Sequence, residues 1–290
     1  MDIAEYRKRY EAELAKASPP ERRARTEGRR PSAAARAKDI ATAPLEEDKL
    51  EEQVADLLTT LLNRDESLTV RMAALDALAA LAFLGPRFAP FGADYRQALR
   101  DVATDPKPAL RERALELLAI DKDPYAQELL VQGLKRSQDA LVPEAKAIQL
   151  LGYDDHAEFV PLVRRVYKRA KGAAREEALR VLATDPQSER LFSRLLKDKS
   201  EKRSIRRLSA SGLQNLNPEA FDRAARKIVA DEDDDNDIRA TTLAALAHGR
   251  EAREKPVDPK LVETVQKVGE STRSRTLRSA TRRFLQSTEQ

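Results

Sequence analysis

The sequence predicts an all-α solenoid, a stack of paired helices, and three observations support that prediction. A nine-residue pattern of apolar and charged residues occurs seven times, with residues 70–78 as its first copy. Successive copies start 40, 33, 31, 31, 33 and 39 residues apart, which is the period of repeats built from helix pairs. Aromatic residues make up only 4% of the chain and tryptophan is absent, so the core must consist of small and aliphatic side chains. The copies begin at Val70, Leu110, Pro143, Ala174, Ile205, Ile238 and Leu277.

Each copy is predicted to be the second helix of a pair, preceded by a first helix with a looser apolar pattern. Several first helices start at an Asx-Pro dipeptide. An Asp or Asn side chain accepts hydrogen bonds from free N–H groups at a helix start, and proline fits the first turn. These caps are expected at Asp123, Asp185, Asn217 and Asp258. The predicted first helices cover residues 45–63, 93–104, 124–136, 157–171, 187–198, 218–230 and 259–270.

Helical periodicity divides each copy into a buried face and an exposed face. If the first residue is position zero, then positions 0, 4, 7 and 8 share one side of the helix, with position 5 on its flank. In the second copy we therefore expect Leu115 and Leu118 to be buried. Positions 2, 6 and 9 point away from this side and are predicted to form an exposed ridge.

Position 1 is arginine in six of the seven copies, and an acidic residue often lies four to seven residues before the copy. The arginines are Arg71, Arg111, Arg175, Arg206, Arg239 and Arg278, and the acids are Asp65, Asp105, Asp139, Asp198 and Asp233. This arrangement resembles HEAT repeats, and the resemblance covers about residues 45–287. It implies an Asp–Arg ladder along a right-handed superhelix of about seven helix pairs, whose second helices line the concave side. Two copies depart from the pattern: the copy at Pro143-Glu144 lacks the arginine, and the copy at Ala174 has no acid at the expected distance.

The N-terminal region differs from the repeats. Residues 2–17 are predicted to form an amphipathic helix, and the Pro-, Gly- and Arg-rich residues 18–44 are predicted to form a flexible basic linker. Residues 1–44 carry 11 lysines and arginines against 7 acidic residues, so they hold the whole net charge of +4. The sequence thus predicts two regions, an N-terminal arm over 1–44 and a neutral solenoid over 45–290.

Several kinds of chemistry have no convincing signature in the sequence. There is no cysteine, no apolar leader and no run long enough to span a membrane, so a cytoplasmic protein is expected. The acidic run 231–237 lacks the glycine and glutamate of an EF-hand, and a loop in which Asp237 caps the next helix explains it better. His156, with Asp154 and Glu158, is more typical of a turn than of a metal site. We therefore expect no catalytic residue, no metal and no cofactor, and a protein that is not an enzyme.

The leading functional hypothesis from the sequence is a non-catalytic scaffold or adaptor that binds a protein partner on its concave ridge. The predicted contact residues are Glu112, Glu116, Glu176, Arg180, Arg207, Ser211 and Gln214. The first alternative is nucleic-acid binding through the basic arm and the last repeat. The arginines of that repeat are Arg273, Arg275, Arg278, Arg282 and Arg283. The second alternative is an enzyme of the HEAT-like lyase or glycosylase kind. Arginine outnumbers lysine, which favours a GC-rich bacterial source.

Overall fold

A computed structural model of the chain describes residues 31–154, 158–251 and 258–288. These residues contain 15 α-helices and no strand, which confirms the all-α prediction. The chain divides into two compact units, Met1–Val142 and Pro143–Gln290.

The first unit contains six described helices. They are α1 (Ala33–Thr42), α2 (Leu50–Leu62), α3 (Leu68–Ala82), α4 (Gly92–Val102), α5 (Pro108–Ile120) and α6 (Pro124–Lys135). Helices α3 and α5 are the second helices of the copies at Val70 and Leu110. The predicted helix pairs therefore form, with boundaries within a few residues of those expected.

The second unit continues the same alternation of first and second helices. Its helices are α7 (Glu144–Leu151), α8 (Val160–Arg169), α9 (Gly172–Leu182), α10 (Glu189–Lys197), α11 (Arg203–Leu216), α12 (Pro218–Ala230), α13 (Asn236–Glu251), α14 (Pro259–Ser271) and α15 (Arg275–Gln286). The odd-numbered helices are the second helices predicted from the copies. Within the described ranges, every helix is too short or too polar to cross a lipid bilayer.

The buried side of the second helices is rotated slightly from the predicted one. Leu115 and Leu118 are fully buried, as expected. In the copies at Val70, Leu110, Ala174 and Ile238, position 5 is fully buried rather than flanking, whereas position 7 is only half-buried, as Leu117 illustrates. At 100° per residue the buried face of these copies is therefore centred about 70° from position 0, between positions 4 and 8. Position 1 lies on this face, which explains why Arg71, Arg206 and Arg239 are buried.

The Asx-Pro caps form where the sequence predicts them. Asp123 accepts hydrogen bonds from the N–H groups of Tyr125 and Ala126 at the start of α6. Asp185, Asn217 and Asp258 accept from backbone N–H groups in the same way. These caps fix where each first helix begins, and hence where the loops between repeats lie.

Residues 33–42 form helix α1, so the predicted flexible linker does not extend over them. The sequence there is rich in alanine, which has the highest helix propensity, and Ser32 caps the helix by accepting from the N–H of Ala35. Helix α1 packs against α3, and Arg36 forms a bidentate ion pair with Glu66. The predicted helix over residues 2–17 and the first part of the linker lie outside the described residues.

Candidate functional site

Buried arginines at position 1 of the copies form a ladder of contacts along the repeats. We call each contact a rung, and a rung is complete when the arginine of one repeat also binds an acid of the next. Arg206 is 2% exposed, and its Nε donates to the carbonyl of Leu196 at the end of the preceding first helix. Its two terminal nitrogens donate to the two oxygens of Asp234, at 2.6 and 2.7 Å. Arg71 repeats this geometry with the carbonyl of Leu61 and with Asp105 of the next repeat. The structural role predicted for these arginines is therefore confirmed.

The acid of each rung is often not the predicted residue. Arg36 binds Glu66 rather than Asp65, and Arg206 binds Asp234 rather than Asp233. Arg175 binds Glu201, which lies three residues beyond Asp198. Helical pitch and loop length decide which carboxylate reaches the guanidinium, and acid spacing in the sequence does not contain that information. Of the predicted acids in the described part of the chain, Asp105 alone accepts from a position-1 arginine side chain.

Among the described residues, three position-1 arginines are bonded to no acid: Arg278, which donates to the carbonyl of Thr272, and two more. Arg111 donates to the carbonyls of Leu141 and Asp105. Arg239 donates to the carbonyl of Val229 and to the amide oxygen of Asn236. Backbone carbonyls thus satisfy a buried guanidinium where no carboxylate is available.

A second ladder, which the sequence analysis missed, connects the first helices. Arg100 on α4 donates to Asp123, the cap of α6, at 2.8 Å. Arg226 on α12 pairs in the same way with Asp258, the cap of α14. One oxygen of each capping Asp binds the helix N–H groups while the carboxylate also binds an arginine. This second ladder could have been predicted from the recurrent Asx-Pro dipeptides, because an arginine lies in the first helix that precedes each of these two caps.

These ladders shift the pKa values of their carboxyl groups. For Asp105 and Asp123, burial is the largest single influence and acts to raise the pKa. Hydrogen bonds from backbone N–H groups and from Arg71 or Arg100 act together in the opposite direction, and the pKa of each carboxyl is lowered. The hydrogen bond from Arg36 likewise lowers the pKa of Glu66. These carboxyl groups are therefore ionised in the folded protein and form ion pairs within it.

Cations of the preceding repeat form ion pairs with several carboxylates of the acidic run 231–237. Lys199 pairs with Asp231 at 2.7 Å, and Arg203 pairs with Asp235 at 2.5 Å. The helix cap is Asp235, which accepts from the N–H groups of Asp237 and Ile238. The expected capping role of Asp237 is therefore wrong, because the helix starts two residues earlier than that cap requires. Asp237 instead accepts from Arg203.

The predicted ridge residues are largely engaged within the protein. In the first unit, Glu116 accepts from Arg113, which also pairs with Asp76, and Glu112 is half-buried. In the second unit, Ser204 donates to Glu176, and Gln214 donates to the carbonyl of Ala245. Arg180 pairs with Glu177 on its own helix, and Arg207 and Ser211 are exposed. Glu176 and Gln214 thus bridge neighbouring helices, whereas Glu116 and Arg180 pair on their own helices, and the role of this surface in binding stays a prediction.

A groove of about 650 Å³ runs between α13 and α15, and we call it the basic groove. Its α13 wall is formed by Ala240, Thr241, Ala244, Ala247 and His248. Its α15 wall is formed by Arg275, Thr276, Ser279, Ala280, Arg283, Phe284 and Ser287. The two walls together carry two guanidinium groups, one imidazole and several hydroxyl groups.

The basic groove exists because the ridge positions of α13 carry small side chains. Positions 2, 6 and 9 of the copy at Ile238 are Ala240, Ala244 and Ala247. In several earlier copies positions 2 and 6 hold larger, charged side chains, such as Glu112 with Glu116 and Glu176 with Arg180. Replacing them with methyl groups leaves space along the helix, and Phe284 forms the apolar base of that space. The signal was therefore present in the sequence as a change of residue type on the ridge.

Close packing of α14 against α15 places the arginine-rich wall. A Cβ atom on Gly269 would lie only 2.8 Å from Oγ1 of Thr281, so glycine allows the two helices to approach. Thr281 is buried, and Ser274 caps the start of α15 by accepting from the N–H of Leu277. The orientation of α15 is thereby fixed, with positions 275, 279 and 283 on the groove side at successive steps of four residues.

The structure brings together two of the five arginines proposed for anion contact. Arg275 and Arg283 line the basic groove, and within the described part of the chain neither forms an ion pair. Arg278 donates to the carbonyl of Thr272, while Arg273 and Arg282 are exposed elsewhere. No carboxylate lies among the described residues that line the groove. Two uncompensated guanidinium groups therefore face a common space that can hold an anion.

Of the two histidines, only His248 lies among the described residues. His156 lies outside the described residues, so the metal site considered for Asp154, His156 and Glu158 cannot be placed. His248 is exposed and lines the basic groove. Among the described residues no cluster of three or more potential metal ligands occurs.

Solved structures similar to this chain include a deoxyhypusine hydroxylase and a phycocyanin lyase complex. No protein-family model matches the sequence, and no curated protein matches it. Human deoxyhypusine hydroxylase in complex with glycerol is 15% identical, covers 82% of this chain and 96% of its own, and has a TM-score of 0.37. The complex of CpcE and CpcF of phycocyanin lyase from a Nostoc species is 16% identical, covers 88% of this chain and 100% of its own, and also has a TM-score of 0.37.

These comparisons correct the functional expectation from the sequence. Both similar structures are named as enzymes, which contradicts the non-catalytic scaffold and the expectation that the protein is not an enzyme. The lyase-type alternative agrees better with them. At this level of identity the likeness concerns the fold alone, and it assigns this chain no substrate.

Proposed function

We propose that this protein is a lyase-type enzyme that acts on a protein partner, with the basic groove as its site. The observation that carries the proposal is the pair Arg275 and Arg283, two guanidinium groups without an acidic partner among the described residues. Elsewhere, the arginines of both ladders are paired with carboxylates or carbonyls. The groove thus offers a ligand two guanidinium groups that form no ion pair among the described residues.

The two arginines suit a carboxylate or another planar anion. A guanidinium group donates two parallel hydrogen bonds to a carboxylate, and these charge-assisted bonds are about twice as strong as neutral ones. The hydroxyl groups of Thr276 and Ser279 lie between the arginines on the same wall. They supply further donors, so that an anionic group in the groove can be bound from one side.

His248 supplies a group for proton transfer on the opposite wall. Elimination and addition reactions both require a proton acceptor or donor, and histidine is the side chain that exchanges protons near neutral pH. A carboxylate held by arginine also stabilises negative charge that develops beside it during such a reaction. The groove therefore combines an anion-binding wall with a proton-transfer group.

A protein partner suits this groove better than nucleic acid does. Its base is formed by alanine methyl groups and Phe284, and only two cationic groups line it. Nucleic acid binding depends on several lysines and arginines that neutralise successive phosphates. An apolar base with a few polar groups is typical of sites that bind peptide or small-molecule groups.

The anion-binding part of the proposal can be tested with polyglutamate as the probe. We expect Arg275→Gln with Arg283→Gln to weaken its binding to the full chain by about tenfold or more, since two charge-assisted contacts are lost. The matched control is Arg273→Gln with Arg282→Gln, which removes the same charge from the same region outside the groove. Equal losses in the two double variants would show that net charge, and not the groove, binds the anion.

The catalytic part can be tested on a captured partner. A photo-crosslinking residue at Ser279 identifies the protein that enters the groove, and intact mass spectrometry follows that protein during incubation with the enzyme. We expect its mass to change with the wild type and to stay constant with His248→Gln. An unchanged mass with the wild type, at the concentration used for crosslinking, would contradict catalysis.

A further inference from the structure

We propose that the basic groove binds a single α-helix of the partner, with two carboxylates about two turns apart and small apolar side chains between them. This inference rests on the proposed function and specifies what enters the site. It follows from the length of the groove, from the hydrogen-bonding state of its walls and from the positions of its charges.

The groove is long enough for a helical segment. On α15 its wall extends from Arg275 to Ser287, which at 1.5 Å per residue is about 18 Å. On α13 it extends over the nine residues from Ala240 to His248, which at 1.5 Å per step is about 12 Å. A helix of about three turns therefore fits along it, parallel to both walls.

The walls favour a helix over an extended peptide. Both walls are α-helices, so their interior backbone N–H and C=O groups are already bonded within the helix. An extended peptide needs hydrogen-bond partners for its backbone, such as the edge of a sheet provides. In this groove its backbone N–H and C=O groups would lie unbonded against alanine and phenylalanine side chains. A helix satisfies its own backbone and presents only side chains to the groove.

The spacing of the arginines defines the charge pattern of the bound helix. Arg275 and Arg283 are eight residues apart on α15, or about 12 Å along the axis. Acidic residues at positions i and i+7 of the incoming helix are about 10.5 Å apart on one face. Each carboxylate then lies within reach of one guanidinium, because arginine side chains are long and flexible.

The base of the groove defines what lies between those acids. Ala240, Ala244 and Ala280 form a shallow floor, and Phe284 is buried beneath it. Residues at i+3 and i+4 of the incoming helix face this floor. Small residues such as alanine allow the helices to approach closely, whereas a large side chain would hold them apart.

The test uses the full chain and labelled 15-residue peptides, with binding measured by fluorescence anisotropy. The first peptide is helical, with glutamate at i and i+7 and alanine at i+3 and i+4. The second has the same composition with a glutamate moved to the opposite face, and the third carries a central proline that breaks the helix. We expect the second and third peptides to bind about tenfold more weakly than the first, or worse.

Two variants of the protein test the floor. Ala244→Leu fills the groove, and we expect it to weaken binding of the helical peptide by about tenfold while polyglutamate binding changes by less than about twofold. Gln266→Leu is the matched control, since Gln266 is exposed on α14 outside the groove. We expect no change in that variant.

The outcomes separate this inference from the proposed function. If the proline-containing peptide binds as tightly as the helical one, the occupant is not a helix, although the anion-binding groove stands. If polyglutamate binding does not depend on Arg275 and Arg283, the groove fails as the functional site and the helix proposal fails with it. Tighter binding of duplex DNA than of the helical peptide, lost in the Arg275→Gln, Arg283→Gln double variant, would overturn the protein partner in favour of nucleic acid.

Discussion

At the scale of single residues, an arginine contributes to stability according to whether it forms a rung. Arg206 and Arg207 are adjacent in the sequence, yet Arg206 is 2% exposed and bonded to Asp234 while Arg207 is exposed. The buried guanidinium has lost its hydration and depends on its partners for compensation. Removing it leaves Asp234 buried without its ion pair, which is more costly than the loss of one surface charge.

We expect Arg206→Ala to reduce the free energy of unfolding by about 3–5 kcal/mol, because it leaves an uncompensated buried carboxylate. Arg207→Ala should change it by less than about 0.5 kcal/mol, since the side chain is exposed. Urea unfolding of the two variants measures the difference directly. Similar losses for both residues would show that the rung does not hold the helices together.

The sequence predicts the arginines of the rungs more reliably than it predicts the acids that accept their hydrogen bonds. The nine-residue copies fix the arginine at position 1, and helical geometry puts that position on the buried face. The carboxylate comes from a loop, where one residue more or less moves a side chain by several ångströms. Glu66, Glu201 and Asp234 were therefore missed in favour of nearby acids.

At the scale of helices, one capping Asp serves both its own helix and the preceding first helix. Oδ1 of Asp123 accepts from the N–H groups of α6, and its carboxylate also accepts from Arg100 on α4. The cap and the rung can be separated by substitution. Asparagine keeps the accepting oxygen but presents an amide to the arginine, and alanine removes both functions.

We expect Asp123→Ala to cost about 2 kcal/mol or more, of which the cap accounts for about 1 kcal/mol. Asp123→Asn should cost less, because Asn is as good an N-cap as Asp. Thermal and urea unfolding of the two variants provide the comparison. If asparagine proves as damaging as alanine, then the contact with Arg100 matters more than the cap.

The contact of α10 with α11 depends on a glycine. A Cβ atom at Gly212 would lie 2.8 Å from the ring of Phe192, which is fully buried. We expect Gly212→Ala to destabilise the protein by about 1–3 kcal/mol through overpacking, although alanine is the better helix former. Ser211→Ala, on the exposed side of the same helix, should be neutral or slightly stabilising.

A second substitution tests the origin of that effect. Phe192→Leu removes the ring that the new methyl group meets, so we expect the double variant to be more stable than the sum of the two single changes implies. Additive losses in a double-mutant cycle would mean that Gly212 is needed for another reason.

At the scale of the whole molecule, the ladders make stability depend on pH. The pKa values of Glu66, Asp105, Asp123 and Asp258 are lowered in the folded protein. For Asp105 and Asp123, burial raises the pKa, but hydrogen bonds from arginine and from backbone N–H groups together outweigh it. For Glu66 and Asp258, the hydrogen bond from arginine is the largest influence. The folded state therefore binds fewer protons than the unfolded state as these groups titrate. Their stabilisation is fully present above their ordinary pKa, near pH 4, and is lost as pH falls through the lower folded value.

We expect the free energy of unfolding to be nearly constant from pH 7 to 5 and to fall steadily below about pH 4. Asp105→Asn should be less stable than the wild type at pH 7 and should show a shallower fall in acid, because one of the responsible carboxyls is gone. Urea unfolding over this pH range measures both effects. A parallel fall in the variant would exclude Asp105 from the cause.

The N-terminal boundary of the folded protein also belongs to this scale. Helix α1 packs on α3 and its Arg36 pairs with Glu66, so removal of residues 1–44 should destabilise the protein more than removal of residues 1–31. Urea unfolding of the two truncated chains gives the difference. If both truncations are equally stable, α1 contributes nothing to the fold.

Much of the architecture could be predicted from the sequence, and little of the site could. Helix pairs follow from periodicity and caps, which are local properties of residues such as Asp123 and Leu118. The basic groove depends on two helices that are far apart in sequence and on the absence of large side chains at Ala240, Ala244 and Ala247. Pattern analysis emphasises what recurs in every repeat, whereas this site arises where the last repeats depart from it.

The rungs also make the repeats interchangeable during evolution. Each complete rung joins an arginine of one repeat to an acid of the next, as Arg175 joins Glu201 and Arg206 joins Asp234. A repeat in such a run therefore carries one donor for its successor and one acceptor for its predecessor. Deletion of a whole period, such as residues 174–204, removes the rung of Arg175 and Glu201 together and leaves the rung of Arg206 and Asp234 complete. Arrays of this kind can change length by recombination without acquiring a buried charge that has no partner.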